Sequence, residues 1–387
     1  MASEPTLLQR LLRGRTDPAE EAQVLALLRR ASGRELDQIL TETDAAVLIG
    51  SLDNHAFGAR NRDAVRELLV GRLGELGIQA RANLAYGLQA GWTTVADALA
   101  IREIFWSAGG LELTRLKNAM NMRTDAHDLE GLVYADVKSP ALRADILEHI
   151  AAEASGLEAA EAKVLCDIDD TVVCALHDRR YPRGTIYPGI LALLDALDRG
   201  TGDEPFSMGD LTFVTARPGD AFGLIENYAR ASLRRAGIAQ HSVLTGTVQA
   251  MFTLDLMAGR KIANIQHYHA LFPEYRLVFI GDSGQADIKV GEQLWQRLEH
   301  VLDLVFIHDV VHTPEDERGR LRGERIHLVD TYVGAARLAY ERRLISRVGF
   351  ERVIEESFAA LERVRWSSPE QERSTRALFD ADASVPA

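Results

Sequence analysis

Through roughly residue 155 the apolar positions recur at three- and four-residue intervals, the period of helices that bury one face. Asp17-Pro18 opens the first clear one: an aspartate to cap it, a proline suited to its first turn, then Glu20 and Glu21 at the positive end of the helix dipole. Val24, Leu25, Leu27 and Leu28 supply its apolar face and Gly33 its stop. A shorter helix starts at Glu35, and further ones are predicted near 60–76, 93–108, 112–122 and 140–153. Near residue 160 the pattern changes. Four short, unbroken apolar runs, at 163–166, 211–214, 276–280 and 304–307, alternate with helical stretches at 189–198, 219–236, 258–271 and 290–299. Unbroken runs separated by helices are the signature of buried parallel strands. Two helices are expected after residue 330. The Ser-, Asp- and Ala-rich end reads as a frayed tail. The expected organisation is an all-α domain over 1–158, a Rossmann-like α/β domain with a parallel sheet over 159–335, and C-terminal helices with the tail over 336–387.

Chemistry gathers where the strands end, the edge at which open α/β sheets bind ligands. The first run ends in Asp167-Ile168-Asp169-Asp170-Thr171, and alternation puts Asp167 and Asp169 on one side as the chain leaves the sheet. Two carboxylates held together repel unless a counter-charge intervenes, and Mg²⁺, a hard cation that prefers oxygen, meets that need. An aspartate beside a metal can attack phosphorus, and a carboxylate two residues on can move the protons. The third run delivers Asp282 into Gly281-Asp282-Ser283-Gly284-Gln285-Ala286-Asp287, a second oxygen set for a metal. Thr215 ends the second run and could hold a phosphoryl oxygen. Phosphoryl transfer also needs a cation, for which Lys261 and Lys289 compete.

In order and placement, Asp167/Asp169, Thr215, Lys261 and Asp282/Asp287 resemble the four motifs of the haloacid-dehalogenase-like phosphohydrolases in their DxDxT form. Within that superfamily DIDDT at 167–171, YPGI at 187–190 and LFPEYRLVFIGDSGQAD at 271–287 are most similar to the actin-patch-associated phosphatidate phosphatase family. RKIANI around Lys261, VFIHDV at 305–310 and DTYVGAARLAYERRLI at 330–345 add to the likeness. The VTARP around Thr215 departs from the Ser-Asn-Ser-Pro of that family and is nearer the lipin-type phosphatidate phosphatases. The resemblance implies a Mg²⁺-dependent phosphatase with a minimal cap. Asp167 would be its nucleophile and Asp169 its acid/base, with Thr215 on the phosphate and Lys261 offsetting charge. The metal would be held by Asp167, the Asp169 carbonyl, Asp282 and Asp287.

The remaining features set limits on partners. A net charge of −13 argues against a broad nucleic-acid-binding face, and two cysteines make no disulfide framework and point to a reducing, cytoplasmic setting. Arg179, Arg180 and Arg183 could meet an anionic surface such as phospholipid, with any membrane contact peripheral. The run 317–325 reads as an exposed loop, and Trp92, Trp106 and Trp295 as core or interface residues. The helical domain is open to a protein partner. The expected substrate is a phosphomonoester, phosphatidate among the candidates. Beside it stand a phosphatase of nucleotides or nucleic-acid ends, and a binding protein with an inert α/β domain.

Overall fold

The computed structural model describes residues 8, 11–12, 16–52, 60–121, 128–157, 162–202, 211–218, 242–246 and 254–384, without the side chains of 215–218, 242–246 and 254. The chain divides into two compact units, Met1–Leu157 with Ala270–Pro273, and Glu158–His269 with Glu274–Ala387.

The first unit is helical: Pro18–Arg30, Gly33–Glu42, Ala45–Gly50, Asn61–Gly71, Ile78–Gln89, Val95–Trp106, Gly110–Asn121 and Pro140–Ala154. Three of these starts carry reciprocal capping boxes, Asp17 with Glu20, Ser32 with Glu35 and Thr94 with Asp97, each satisfying amides that the first turn leaves free. Val24, Leu36, Leu48, Leu84 and Ile104 are fully or almost fully buried in its core. Asp97 also receives Arg62 and Arg66 while wholly buried. The helix Ile78–Gln89 was not among the predicted ones, and it packs so tightly that a Cβ on Gly87 would lie 2.6 Å from the Ala45 carbonyl oxygen.

The second unit is built on a six-stranded parallel sheet: β1 Ala162–Cys166, β2 Leu211–Pro218, β3 Ser242–Gly246, β4 Arg276–Asp282, β5 Leu302–His308 and β6 Ile326–Val329. The spatial order is β3-β2-β1-β4-β5-β6. The chain runs outward from β1 through β2 to β3, then crosses to β4 on the other side of β1. That reversal opens a crevice at the C-terminal ends of β1 and β4, where α/β sheets bind ligands. Cys166 pairs with Ile280, and the ladder continues through the Asp167 amide, which donates to the Ile280 carbonyl at 2.8 Å. Asp167 and Asp282 therefore leave adjacent strands almost level.

Four expectations need correction or completion. Residues 317–323 of the run 317–325 belong to a helix, Glu315–Gly323, pinned by Arg318 on Asp309 and Asp330. The C-terminal tail is likewise a helix, Pro369–Ser384, which buries Phe379 and whose Asp382 accepts from Thr331 at 2.6 Å. It follows the two expected helices, Tyr332–Glu341 and Arg347–Leu361, and all three contribute to the core around the sheet. Trp92 and Trp106 are exposed, and only Trp295 is partly buried, donating to the Arg325 carbonyl. The helix predicted at 219–236 lies outside the described residues.

Candidate active site

The end of β1 and the first turn of the helix Asp287–Leu298 bring two carboxylates to one lysine. Lys261 comes from the helix Leu254–Leu271, and its Nζ donates to Asp167 Oδ1 and to Asp287 Oδ1, both at 2.6 Å. All three side chains are buried. Lys289 points elsewhere, to a surface pair with Asp255, so of the two lysines it is Lys261 that contacts these carboxylates. Gly281 makes the approach possible, because a Cβ there would fall 2.5 Å from atoms of the Asp287 side chain. Asp282 completes the group: its Oδ1 accepts from the Gly284 amide and its Oδ2 from the Gln285 side chain. The same Gln285 amide donates to the Asp169 carbonyl at 3.2 Å, so that carbonyl and the Asp282 carboxylate face a common point.

The electrostatics leave an excess of negative charge that a cation could balance. Asp167, Asp282 and Asp287 lie within ligand distance of one another, three buried carboxylates against one ammonium. Asp167 Oδ2 is buried with no hydrogen-bond partner. Burial, reinforced by Asp287 and opposed by Lys261, pushes the Asp167 carboxyl up to about 7. Burial and the neighbouring carboxylates also raise Asp282. For Lys261, burial works to discharge the ammonium, but the charges and hydrogen bonds of Asp167 and Asp287 outweigh it and hold it protonated. An orphaned oxygen, an excess of carboxylate and all-oxygen donors fit a hard divalent ion.

Several residues that the motifs contain, but that spacing alone did not single out, hold the loop in place. Asp170, at φ 60°, accepts from the amides of Ala175, Leu176 and His177 and from His177 Nδ1. Burial opposes its charge, and these donors more than compensate, holding it below the usual carboxylate range. Asp170, His177 and Asp282 also lie within ligand distance of one another, but Asp170 is already engaged by those donors. His308, at the end of β5, bonds through Nδ1 to the Asp170 carbonyl and through Nε2 to Arg180. A carbonyl only accepts and a guanidinium only donates, so His308 is neutral with its proton on Nδ1. Burial and Arg180 depress it to about 4. Arg180 is itself buried, forked onto Asp178 and bonded to the Asp330 carbonyl, so it is not the surface cation expected of it. Asp309 receives Ser283, Thr313 and Arg318 and fixes the Gly281–Asp287 loop from its other side.

Asp169 is half-buried and follows Asp167 on the loop. Thr215 lies in β2, and its side chain is outside the described ones, as is that of Arg217. A groove of about 870 Å³, with Pro182, Ile186, Leu191 and Val364 in its lining beside charged Arg183 and Glu356, lies in the same unit; none of Asp167, Asp169, Asp282 and Asp287 lines it.

Residues 162–309 match the model of a family described as phosphatidate phosphatase APP1, catalytic domain. Neither the curated proteins nor the solved structures yield a match.

Proposed function

We propose, for the domain whose residues 162–309 match this APP1 catalytic-domain model, a Mg²⁺-dependent phosphatase reaction through an aspartyl-phosphate, with phosphatidate as substrate. The observation that carries the reading is the buried Asp167–Lys261–Asp287 triplet at the switch point, with Asp167 Oδ2 unsatisfied.

Asp167 attacks the phosphorus with one carboxylate oxygen, forming a P–O bond as the ester oxygen departs with a proton from Asp169. Asp169, now ionised, takes a proton from water as that water attacks phosphorus, and the Asp167 carboxylate leaves with inorganic phosphate released. Lys261 stays charged throughout, balancing the nucleophile and the phosphoryl oxygens beside it. Thr215 binds a phosphoryl oxygen. The metal would be held by Asp167, the Asp169 carbonyl and Asp282, with Asp287 fixing Lys261 at its edge; when bound it supplies Lewis-acid charge to the phosphoryl group.

A lipid substrate is supported by the groove. Pro182, Ile186, Leu191 and Val364 in its lining suit acyl chains. Tyr187, also in its lining, is bonded through its amide to Val172, five residues beyond Asp167.

The test is phosphate release with and without Mg²⁺ from phosphatidate in mixed micelles, a soluble aryl phosphate, a nucleotide and a phosphorylated oligonucleotide. We expect Mg²⁺-dependent release, fastest on phosphatidate, falling by about 10³-fold or more in Asp167→Asn. Undiminished turnover in that variant would remove the covalent mechanism, and preference for a nucleotide or an oligonucleotide would remove the lipid assignment. Asp169→Asn should accumulate phosphoenzyme that breaks down slowly; a rapid full cycle would take the proton-transfer role from Asp169.

A further inference from the structure

The helical unit carries an exposed apolar stripe that the catalytic reading leaves unused. In the helix Val95–Trp106 the inner face, with Ala98, Ile101, Ile104 and Phe105, is buried. Its outer face is not polar, as that of a solvated helix would be. Val95 is 73% exposed, Leu99 40% and Trp106 47%, and Trp92, just ahead of the helix, is 76% exposed. At 100° per residue, Val95, Leu99, Arg102 and Trp106 fall within an arc of about 60°. Large apolar side chains so aligned and left in water mark an interaction surface rather than chance exposure.

The polar partners of this stripe indicate what covers it. Each tryptophan carries a cation on its ring: Lys138 Nζ lies 4.2 Å from the Trp92 ring and the Arg102 guanidinium 4.5 Å from that of Trp106. Lys138 is exposed. Glu103, the acidic neighbour on the same helix, is hydrogen-bonded to Arg102, and Asp145 accepts from Arg102 as well, so two carboxylates share the Arg102 charge and Lys138 is the exposed cation of the stripe. Tryptophan rings with basic groups beside them are suited to the boundary of a bilayer, where the ring enters the acyl edge and the cation meets phosphate.

We infer that the face formed by Trp92, Val95, Leu99 and Trp106, with Lys138 and Arg102, docks the protein reversibly on an anionic phospholipid surface. The choice of a lipid occupant rests on the proposed phosphatidate substrate, but the contact is measured apart from catalysis. The experiment is co-sedimentation of the full chain with vesicles of phosphatidylcholine, with and without phosphatidylglycerol, neither of which offers a phosphomonoester. The expected result is binding to the mixed vesicles with a blue shift of tryptophan emission. Trp92→Ala/Trp106→Ala should weaken that binding by about tenfold or more, and Lys138→Glu should weaken it further on the mixed vesicles alone. All three substitutions are at exposed positions, and hydrolysis of a soluble aryl phosphate in Mg²⁺ should stay at the wild-type rate in each variant. Equal vesicle binding by wild type and the double variant overturns the assignment. So does absence of binding, including the case in which the stripe instead mediates self-association that the double variant abolishes. Vesicle binding without aryl phosphate hydrolysis would leave the docking surface standing and remove the catalytic reading.

Discussion

Asp167 has one oxygen on Lys261 and the other without a partner, inside a site where a proton and the proposed metal would compete for the same carboxylate. Mg²⁺ affinity should therefore climb as the pH rises towards about 7, by roughly tenfold per unit where one proton is displaced, and then level off. Calorimetric titration at several pH values reads this directly, and a pH-independent affinity between 5 and 8 would contradict it. The same shift bears on stability. A carboxyl raised from 3.8 to about 7 keeps a proton that the unfolded chain has lost, so its contribution to metal-free stability declines as the pH rises through that interval. His308 acts with the opposite sign: depressed from 6.5 to about 4, it loses stability as the pH falls through its own interval. Comparing the pH dependence of urea unfolding in wild type and Asp167→Asn isolates the first effect. Lys261→Met removes the ammonium and leaves three buried carboxylates uncompensated. It should cost about 3–5 kcal/mol without metal, partly restored by Mg²⁺, and a variant as stable as wild type in chelator would show that the pairing matters little.

Among the elements, the C-terminal helix Pro369–Ser384 matters more than its composition suggests. Thr375 donates to the Arg180 carbonyl and Gln371 to that of Arg179, holding the segment from which Arg180 reaches His308. Thr375→Val should cost about 1–2 kcal/mol and speed amide exchange in the turn that Asp170 organises. Unchanged exchange there would mean that the helix only covers the core. This helix and Glu315–Gly323 were not readable because they bury so little: Thr375 and Phe379 in one, Leu321 in the other. Helices fastened by ion pairs and single anchors leave no apolar period. The helix Ile78–Gln89 was obscured for the reverse reason, with Ala80, Arg81, Leu84, Gly87 and Gln89 buried round much of its circumference. By contrast β1, β4 and β5 are covered on both faces, read as unbroken apolar runs, and each releases its polar residue at the edge where ligands bind. That made Asp167, Asp282 and Asp287 legible. Sequence spacing cannot tell an aspartate that joins a buried carboxylate cluster from one that collects amides and hydroxyls, which is why Asp170 and Asp309 went unrecognised. Nor could it choose Lys261 over Lys289, since the choice depends on which helix face turns towards the crevice.

For the molecule as a whole, a net charge of −13 sets a long-range field that repels anionic surfaces, whereas the stripe on the helical unit offers short-range attraction. Salt screens the first and leaves the burial of tryptophan largely intact. Vesicle binding should therefore persist as ionic strength rises, unlike that of a polybasic segment, and a steep loss in a salt series would show that charge, not apolar contact, does the holding. The close approach at Gly281 has a practical consequence at this same scale. A single methyl at that position would press on Asp287 and disturb its seat on Lys261 while every ionisable side chain is retained. Gly281→Ala thus provides an inert counterpart of unaltered charge and surface, against which recruitment of the protein can be followed without its substrate being consumed.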